Sequence, residues 1–372
     1  MQQKNGRLVV LGMSGGVDSS VSLMILKNAG YDVVGVSLTY DIWRCANRNE
    51  NVCCSKESFE NAKKVCGYFN VKHEIIDVSD EFNNEVIEYF KQELANNRTP
   101  SPCVFCNPKV KFKSLLKYAE KTDADFVATG HYARSREVKS EKPKVKSKIK
   151  NNGEVLLLQA KDKTKDQTYS LSFLTQAELS KIIFPLGELS KSDVYELANK
   201  NEALKLYKNI KQSQDFCFLG RDQLNEFIEK EIAPKSGKIV ELDGEVLGEH
   251  KGLPYYTIGQ RKGIELAGGP YYVVGKDIKN NELIVSKDEE KLLSKEVYLK
   301  PFNLINEIKL PVKVEAKLRS AQDLFKAELL EEGDSLILKF DQPQKSATEG
   351  QIAVFYDGEK CLGSGVIDRV IG

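Results

Sequence analysis

Leu8-Val9-Val10-Leu11-Gly12-Met13-Ser14-Gly15-Gly16-Val17-Asp18-Ser19-Ser20 runs from an apolar strand through a Ser-Gly-Gly turn into a helix that starts near Asp18. Glycines let a backbone approach a ligand closely, and a helix N-terminus offers unpaired N–H groups and partial positive charge, so the turn reads as an anion cradle. Ser14, Ser19 and Ser20 add hydroxyl donors. A P-loop would place Lys and Ser/Thr directly after its last glycine, and here no lysine follows the turn before Lys27. Transfer of a γ-phosphoryl group is therefore disfavoured. The alternative use of a nucleoside triphosphate is to hold the β and γ phosphates as a leaving group while a substrate oxygen attacks the α phosphate, with Asp18 placed to help carry Mg²⁺. That reaction is adenylylation.

Outward from this turn, residues 7 to 131 alternate short β-branched runs with helical patterns: LVVLGM and VSLMILKNAG, YDVVGVSLTY and SKESFENAKKVCGYF, HEIIDVS and DEFNNEVIEYFKQELAN, then FVATGHYA. Strands separated by helices of this length predict βαβ units and a doubly wound parallel sheet covered on both faces. Ligands on such sheets bind beyond the carboxyl ends of the strands, where the turn, Leu38 after GVSL, and Gly130 with His131 after FVAT all fall.

At 372 residues the chain has room for two or three domains. Lys and Arg total 55 against 54 Asp and Glu, so a nucleic-acid role must rest on local basic patches. MQQKNGRLVV has none of the parts of a signal peptide, and no run of about 18 apolar residues occurs. The expectation is a soluble cytoplasmic protein with no membrane partner. Eight cysteines without a secretion signal argue for thiol or metal chemistry over a disulfide framework.

Beyond His131, Arg134, Arg136 and the lysines at 139, 142, 144, 146, 148 and 150 crowd a stretch read either as a solvated hairpin or linker, or as a contact for an RNA backbone. A strand (VLLLQA), the polar run KDKTKDQTYS and helices over LSFLTQAELSKII and KSDVYELANKN complete the first domain, 1–205. A small, mainly β central domain, 206–272, contains KIVELDGEVLGEH with its Asp-Gly hairpin turn and the basic loop YYTIGQRKG. From 273 to 372, strand patterns beginning with YVVGKD and NELIVSKD recur at short intervals, which predicts a C-terminal β-barrel.

Cys103 and Cys106 form a C-x-x-C pair in TPSPCVFCNPKVKF, read as an extended loop held by two prolines, and Cys217 lies far along the chain in SQDFCFLG. The pair alone fits a zinc or structural site; with Lys109 and Lys111 nearby to favour a thiolate, it also fits sulfur carriage and resolution between distant cysteines. Cys45, Cys53, Cys54, Cys66 and Cys361 carry no such context, nor do His73 and His250.

GMSGGVDSS, TPSPCVFCN, ATGHYAR, KTKDQTYSL, SQDFCFLG, GQRKG and ATEGQIAVFY, in that order over almost the whole length, resemble the bacterial tRNA-specific 2-thiouridylase family of the PP-loop ATP pyrophosphatases. The resemblance implies adenylylation of the C2 oxygen of the wobble uridine of tRNA by ATP with Mg²⁺, then displacement of AMP by sulfur to give 2-thiouridine. It implies ATP binding by Gly12, Met13, Ser14, Gly15, Gly16, Val17, Asp18, Ser19, Leu38 and Gly130. Cys217 would carry the persulfide, and Cys106 would be the nucleophile able to close a disulfide with it. Ser101, Pro102 and Cys103 would line the target base; His131, Lys165, Asp166, Gln167, Arg319, Ser320 and Gln351 would contact tRNA. The sulfur would come from a cysteine desulfurase or a persulfide relay protein. Leu38 stands where the family often has Met, and Ser320 where Tyr is common. Cys103 replaces an aspartate found in many members, and the resulting trio Cys103, Cys106 and Cys217 would alternatively suit a [4Fe-4S] cluster that delivers sulfide.

Overall fold

The computed structural model describes residues 6–40, 56–138, 154–207, 218–219 and 223–372. Cys45, Cys53, Cys54, Cys217 and the basic run 139–150 lie outside the described residues. The chain divides into two compact units, the first formed by residues 1–85, 103–221 and 359–361 and the second by 86–102, 222–358 and 362–372.

In the first unit, β1 (Leu8–Gly12), β2 (Asp32–Thr39), β3 (Lys72–Asp77), β4 (Phe126–Ala128) and β7 (Ile182–Ile183) form one sheet in the order β3-β2-β1-β4-β7, every pair parallel. The doubly wound parallel sheet is as expected. β1 is central, so it reads as an unbroken apolar run: Val9, Val10 and Leu11 are fully buried, with no polar face to show. α1 (Val17–Asn28) is buried nearly all round, with Val21, Leu23 and Leu26 in the core beside Ser19, Ser20 and Ser22. Those buried hydroxyls find acceptors within the helix: Ser20 Oγ donates to Gly16 O at 2.9 Å and Ser22 Oγ to Asp18 O at 2.8 Å. α2 (Lys56–Tyr68) covers the sheet with Ala62, Val65 and Cys66, whose thiol burial pushes up to about 12. That cysteine is an inert core residue.

A hairpin of β5 (Ala133–Val138) and β6 (Glu154–Gln159) follows the sheet, so Arg134 and Arg136 lie on a strand. Arg134 donates to Gln159 O at 2.7 Å and to Glu359 Oε2 at 2.6 Å, which ties its charge into the fold. LSFLTQAELSKII is not one helix. Its first residue ends a short helix at Thr168–Leu171, and the rest gives a helix at Gln176–Leu179 and strand β7, because Thr175 caps that helix through a capping box and so restarts the chain there.

In the second unit, β8 (Gly237–Glu241) and β9 (Val246–His250) form the expected hairpin, with Gly244 at φ +92° in its turn. β10 (Tyr272–Asp277) and β11 (Glu282–Ser286), expected to open the barrel, instead join this sheet through a parallel β11–β8 pairing. Their apolar faces, Val273, Leu283 and Val285, share a core with Ile239, Leu253, Tyr256 and Ile264. The barrel is built from β12 (Leu293–Leu304), β13 (Val312–Lys317), β14 (Phe325–Glu332), β15 (Ser335–Lys345), β16 (Ile352–Asp357) and β17 (Lys360–Ile371), ordered β12-β15-β14-β13-β16-β17 and closed by β12–β17. Inward alternation fills it: Ala327 and Leu329 on β14, Leu336 and Leu338 on β15, Ala353 and Phe355 on β16 are buried together.

Candidate active site

Met13, directly after β1, is anchored before the turn begins: its N–H donates to Val36 O at 2.8 Å and its carbonyl accepts from Ser37 Oγ at 2.6 Å. Gly15 then takes φ +74°, a conformation that favours glycine, and a Cβ there would sit 2.1 Å from Ser58 O. Gly16 caps α1 with extended backbone and no side-chain cap bond, which leaves the first N–H groups of the helix to a ligand. Ser14 and Ser19 hydroxyls lie 3.3 Å apart across the turn. Gly130, after β4, packs so closely that an added Cβ would meet Ser19 N at 2.8 Å and the Asp18 carbonyl carbon at 2.9 Å. The turn, Leu38 at the end of β2 and Gly130 after β4 thus share the carboxyl side of the sheet, where an open α/β sheet binds its ligand.

Asp18 is held by two side chains. Lys191 Nζ lies 2.6 Å from its Oδ1, and the Tyr132 hydroxyl donates to the same oxygen at 2.8 Å. Lys191 also faces the rings of Tyr132 and Tyr195 at 5.5 and 5.1 Å. Burial, and then the neighbouring Asp18 carboxylate, raises the Tyr132 hydroxyl far above its ordinary value, so it stays a proton donor. Asp18, in the first turn of α1, thus has one carboxylate oxygen fixed by an ammonium and a phenol.

Sequence reasoning missed Lys191, reading KSDVYELANKN only as a helix. Lysine at the first position of the Lys191–Lys200 helix, right after the Ser190 capping box with Asp193, runs against the helix dipole, and that conflict was the available signal. Tyr132 stood within the quoted ATGHYAR motif without being singled out.

The cysteine segment is not an extended loop. Pro100 and Ser101 belong to no helix or strand, but Pro102 opens a helix over Pro102–Cys106, a position where its missing N–H and fixed φ suit a first turn. Pro108 cannot donate within that helical run, and over Asn107–Phe112 the run widens into π-type turns before continuing as Lys113–Lys121. Cys103 and Cys106, three apart on one helix, differ in exposure: Cys103 is exposed and Cys106 is 2% exposed. Asn107 Nδ2 donates to Ser170 O at 2.8 Å and pins the helix beyond Cys106.

Lys165, Asp166 and Gln167 form the loop beside Tyr132. Gln167 Oε1 accepts from Tyr132 N at 2.9 Å, while Asp166 accepts from Ala160 N at 2.9 Å and Thr168 Oγ1 at 2.6 Å. His131 Nδ1 lies 2.8 Å from Thr129 Oγ1, and burial with nearby Lys111 lowers its pKa to about 3. Near neutral pH the His131 ring is therefore uncharged. In the second unit the Arg319 guanidinium donates to Ile258 O at 3.0 Å, Ser346 O at 3.0 Å and Thr348 Oγ1 at 2.9 Å, with exposed Ser320 following it. Gln351 Nε2 donates to Thr99 O at 3.3 Å. No helix among the described residues is long and apolar enough to cross a membrane.

A parallel sheet with a glycine turn between its central strand and α1 defines the class as a nucleotide-binding α/β domain. Three family models match in succession: a tRNA methyl transferase HUP domain over residues 7–221, a tRNA methyl transferase PRC-barrel domain over 225–287 and an aminomethyltransferase β-barrel domain over 294–367. The chain is 41% identical to the tRNA-specific 2-thiouridylase MnmA 1 of Geobacillus kaustophilus, covering 98% of this chain and 96% of that protein. It is 39% identical to tRNA-specific 2-thiouridylase MnmA of Alkaliphilus oremlandii (98% and 97% covered) and 38% identical to that of Enterococcus faecalis (97% and 95%). The chain belongs to the tRNA-specific 2-thiouridylase family. Among solved structures it aligns with a 4-thiouridine synthetase in complex with RNA and ATP at 14% identity and TM-score 0.34, over 61% of this chain and 51% of that one.

Proposed function

We propose that the protein is a tRNA-uridine 2-sulfurtransferase, which adenylylates the C2 oxygen of the wobble uridine and replaces it with sulfur. The observation that carries this reading is the complete SGGVDSS turn beyond the end of β1, in a chain that matches 2-thiouridylases over 98% of its length. Gly12 to Ser19, Leu38 and Gly130 hold ATP, with the N-terminal amides of α1 facing the phosphates and Asp18 carrying Mg²⁺. The uridine oxygen attacks the α phosphate and pyrophosphate leaves. An amide-like oxygen is a poor leaving group until AMP is attached to it, which is why the nucleotide comes first.

Ser101, Pro102 and Cys103 line the base; His131, Lys165, Asp166, Gln167, Arg319, Ser320 and Gln351 contact tRNA. A protein persulfide, on a cysteine desulfurase or a relay protein, charges Cys217. The Cys106 thiolate attacks the inner sulfur of the Cys217 persulfide, closing a Cys106–Cys217 disulfide and releasing sulfide, which adds to C2 as AMP departs. An external thiol then reduces the disulfide. The cluster reading needs Cys103, Cys106 and Cys217 at one place, and Cys217 lies outside the described residues. The persulfide route is the one the resemblance to the family favours.

Incubation with tRNA, ATP, Mg²⁺ and a persulfide donor, followed by mass spectrometry of the nucleosides, tests the proposal. It predicts 2-thiouridine and AMP from the wild type, AMP formation without 2-thiouridine from Cys217→Ser, and neither from Asp18→Asn. Equal 2-thiouridine from Cys217→Ser, or iron-dependent activity in place of persulfide-dependent activity, overturns the persulfide route. Failure of the wild type to form AMP in the presence of tRNA overturns the whole reading.

A further inference from the structure

Residues 97–101, which lead into Pro102 and the cysteine helix, are clamped within the second unit from several sides. Asn97 adopts φ +58°, and its carbonyl accepts from Lys276 Nζ at 2.8 Å. Arg98 donates to Asp368 Oδ1 at 3.0 Å and to Ile367 O at 2.8 Å, and its Nε lies 3.1 Å from Glu93 Oε2. Thr99 is bracketed on both backbone groups: its N–H donates to Glu349 O at 2.9 Å and its carbonyl accepts from Gln351 Nε2 at 3.3 Å. Gly350, at φ +87°, lies so close that a Cβ would come within 2.9 Å of Thr99 N and O.

Lys276 is the unusual member. It comes from β10 of the central sheet and is half-buried there, with its ammonium turned to the main chain of the segment. Burial lowers its pKa to about 8, with Glu349 acting in the opposite direction, and Glu349 itself is raised chiefly by burial. A buried ammonium is costly unless its location serves something, and this one is directed at a single main-chain carbonyl of the segment.

We propose that Lys276 is a positioning residue for the thiolation reaction: its ammonium, bonded to the Asn97 carbonyl, fixes the path of residues 97–101 and so the presentation of Ser101 and Pro102 to the uridine. The inference rests on the reading that Ser101 to Cys103 line the base. Lys276 touches neither substrate nor nucleotide in this account and acts through the segment. A shift of about 1 Å in such a segment costs one to two orders of magnitude in rate.

Lys276→Met and Gly350→Ala disturb the segment at different residues, Asn97 and Thr99. Each is expected to lower kcat for 2-thiouridine formation on the order of tenfold. KM for ATP and for tRNA should stay within about twofold, the melt should remain cooperative, and deuterium uptake should rise over residues 97–101. The double variant should lose less than the product of the two single losses, because both act on one segment. Wild-type kcat in Lys276→Met overturns the proposal, as does a loss that appears equally in kcat, both KM values and the melting temperature. If the wild type forms no 2-thiouridine at all, the functional reading has failed separately. Unchanged exchange at 97–101 in Lys276→Met would then overturn the clamp, and raised exchange would support it.

Discussion

Lys191 Nζ and Asp18 Oδ1 lie 2.6 Å apart, joining the first residue of one helix to the second residue of another 173 positions earlier. The pair is partly shielded, with the lysine side chain 12% and the aspartate side chain 33% exposed. The ammonium therefore orients a carboxylate that remains accessible on its other side.

Replacing Lys191 with Met should leave the parallel sheet folded while lowering tRNA-dependent AMP release on the order of 100-fold, the scale of losing one oriented charge at a phosphoryl site. Tyr132→Phe removes one neutral donor to Asp18 and should cost about tenfold or less. Release of AMP from radiolabelled ATP measures both. Lys191→Met at wild-type rates would show that the ion pair has no bearing on the nucleotide.

Local signals and tertiary ones divide what the sequence could reveal. The LVVLG run and the SGGVDSS turn state their own roles, since a strand buried on both faces must be apolar throughout and a tight turn must carry glycine. Lys191 does not, because its meeting with Asp18 depends on how the Lys191–Lys200 helix packs on α1. Period-two alternation identified β10 and β11 as strands but not the sheet they join, since the same pattern suits a barrel wall or a central sheet. The two prolines of TPSPC suggest a loop held extended, whereas Pro102 occupies a first helical turn that tolerates it. Arg319, expected to contact tRNA, joins Ile258, Ser346 and Thr348 in a long-range network that no spacing discloses.

Two glycines separate steric tolerance of the protein from closeness of the ligand. A Cβ at Gly16 would meet only Ser14 Oγ at 3.6 Å, an ordinary contact, whereas one at Gly130 would collide with Ser19 N at 2.8 Å. Gly16→Ala should keep wild-type thermal stability and still weaken ATP binding about tenfold or more, if phosphate approaches the backbone there. Gly130→Ala should lower both stability and ATP affinity by displacing the turn. Calorimetric titration with a non-hydrolysable ATP analogue decides it, and unaltered affinity in Gly16→Ala would place the phosphates elsewhere.

Exposure orders the reactivity of the two cysteines on the Pro102–Cys106 helix. With the protein kept reduced, iodoacetamide should modify Cys103 before Cys106, because Cys106 is only 2% exposed. Adding tRNA should slow labelling at Cys103 if the base sits against Ser101 to Cys103. Peptide mass spectrometry follows each site. Faster labelling at Cys106 would show that the helix opens readily without substrate.

His131 provides a pH test that needs no substrate. Burial, with Lys111 nearby, lowers its pKa in the folded protein to about 3, against an unfolded value of about 6.5. The unfolded chain then binds the proton more readily than the folded one throughout the interval between those values. Stability attributable to the neutral ring is present above pH 6.5 and is lost as pH falls toward 3. Discounted for the partial solvent access of the ring, the loss is about 1 kcal/mol per pH unit in that window. His131→Gln keeps a neutral polar side chain that cannot titrate, so its urea midpoint should fall less than the wild type's between pH 6.5 and 5. Carboxylates titrate in both proteins and cancel in the difference. Parallel pH profiles for the two proteins would mean that the ring takes up its proton at the same pH folded and unfolded, and that its burial does not disfavour the charge.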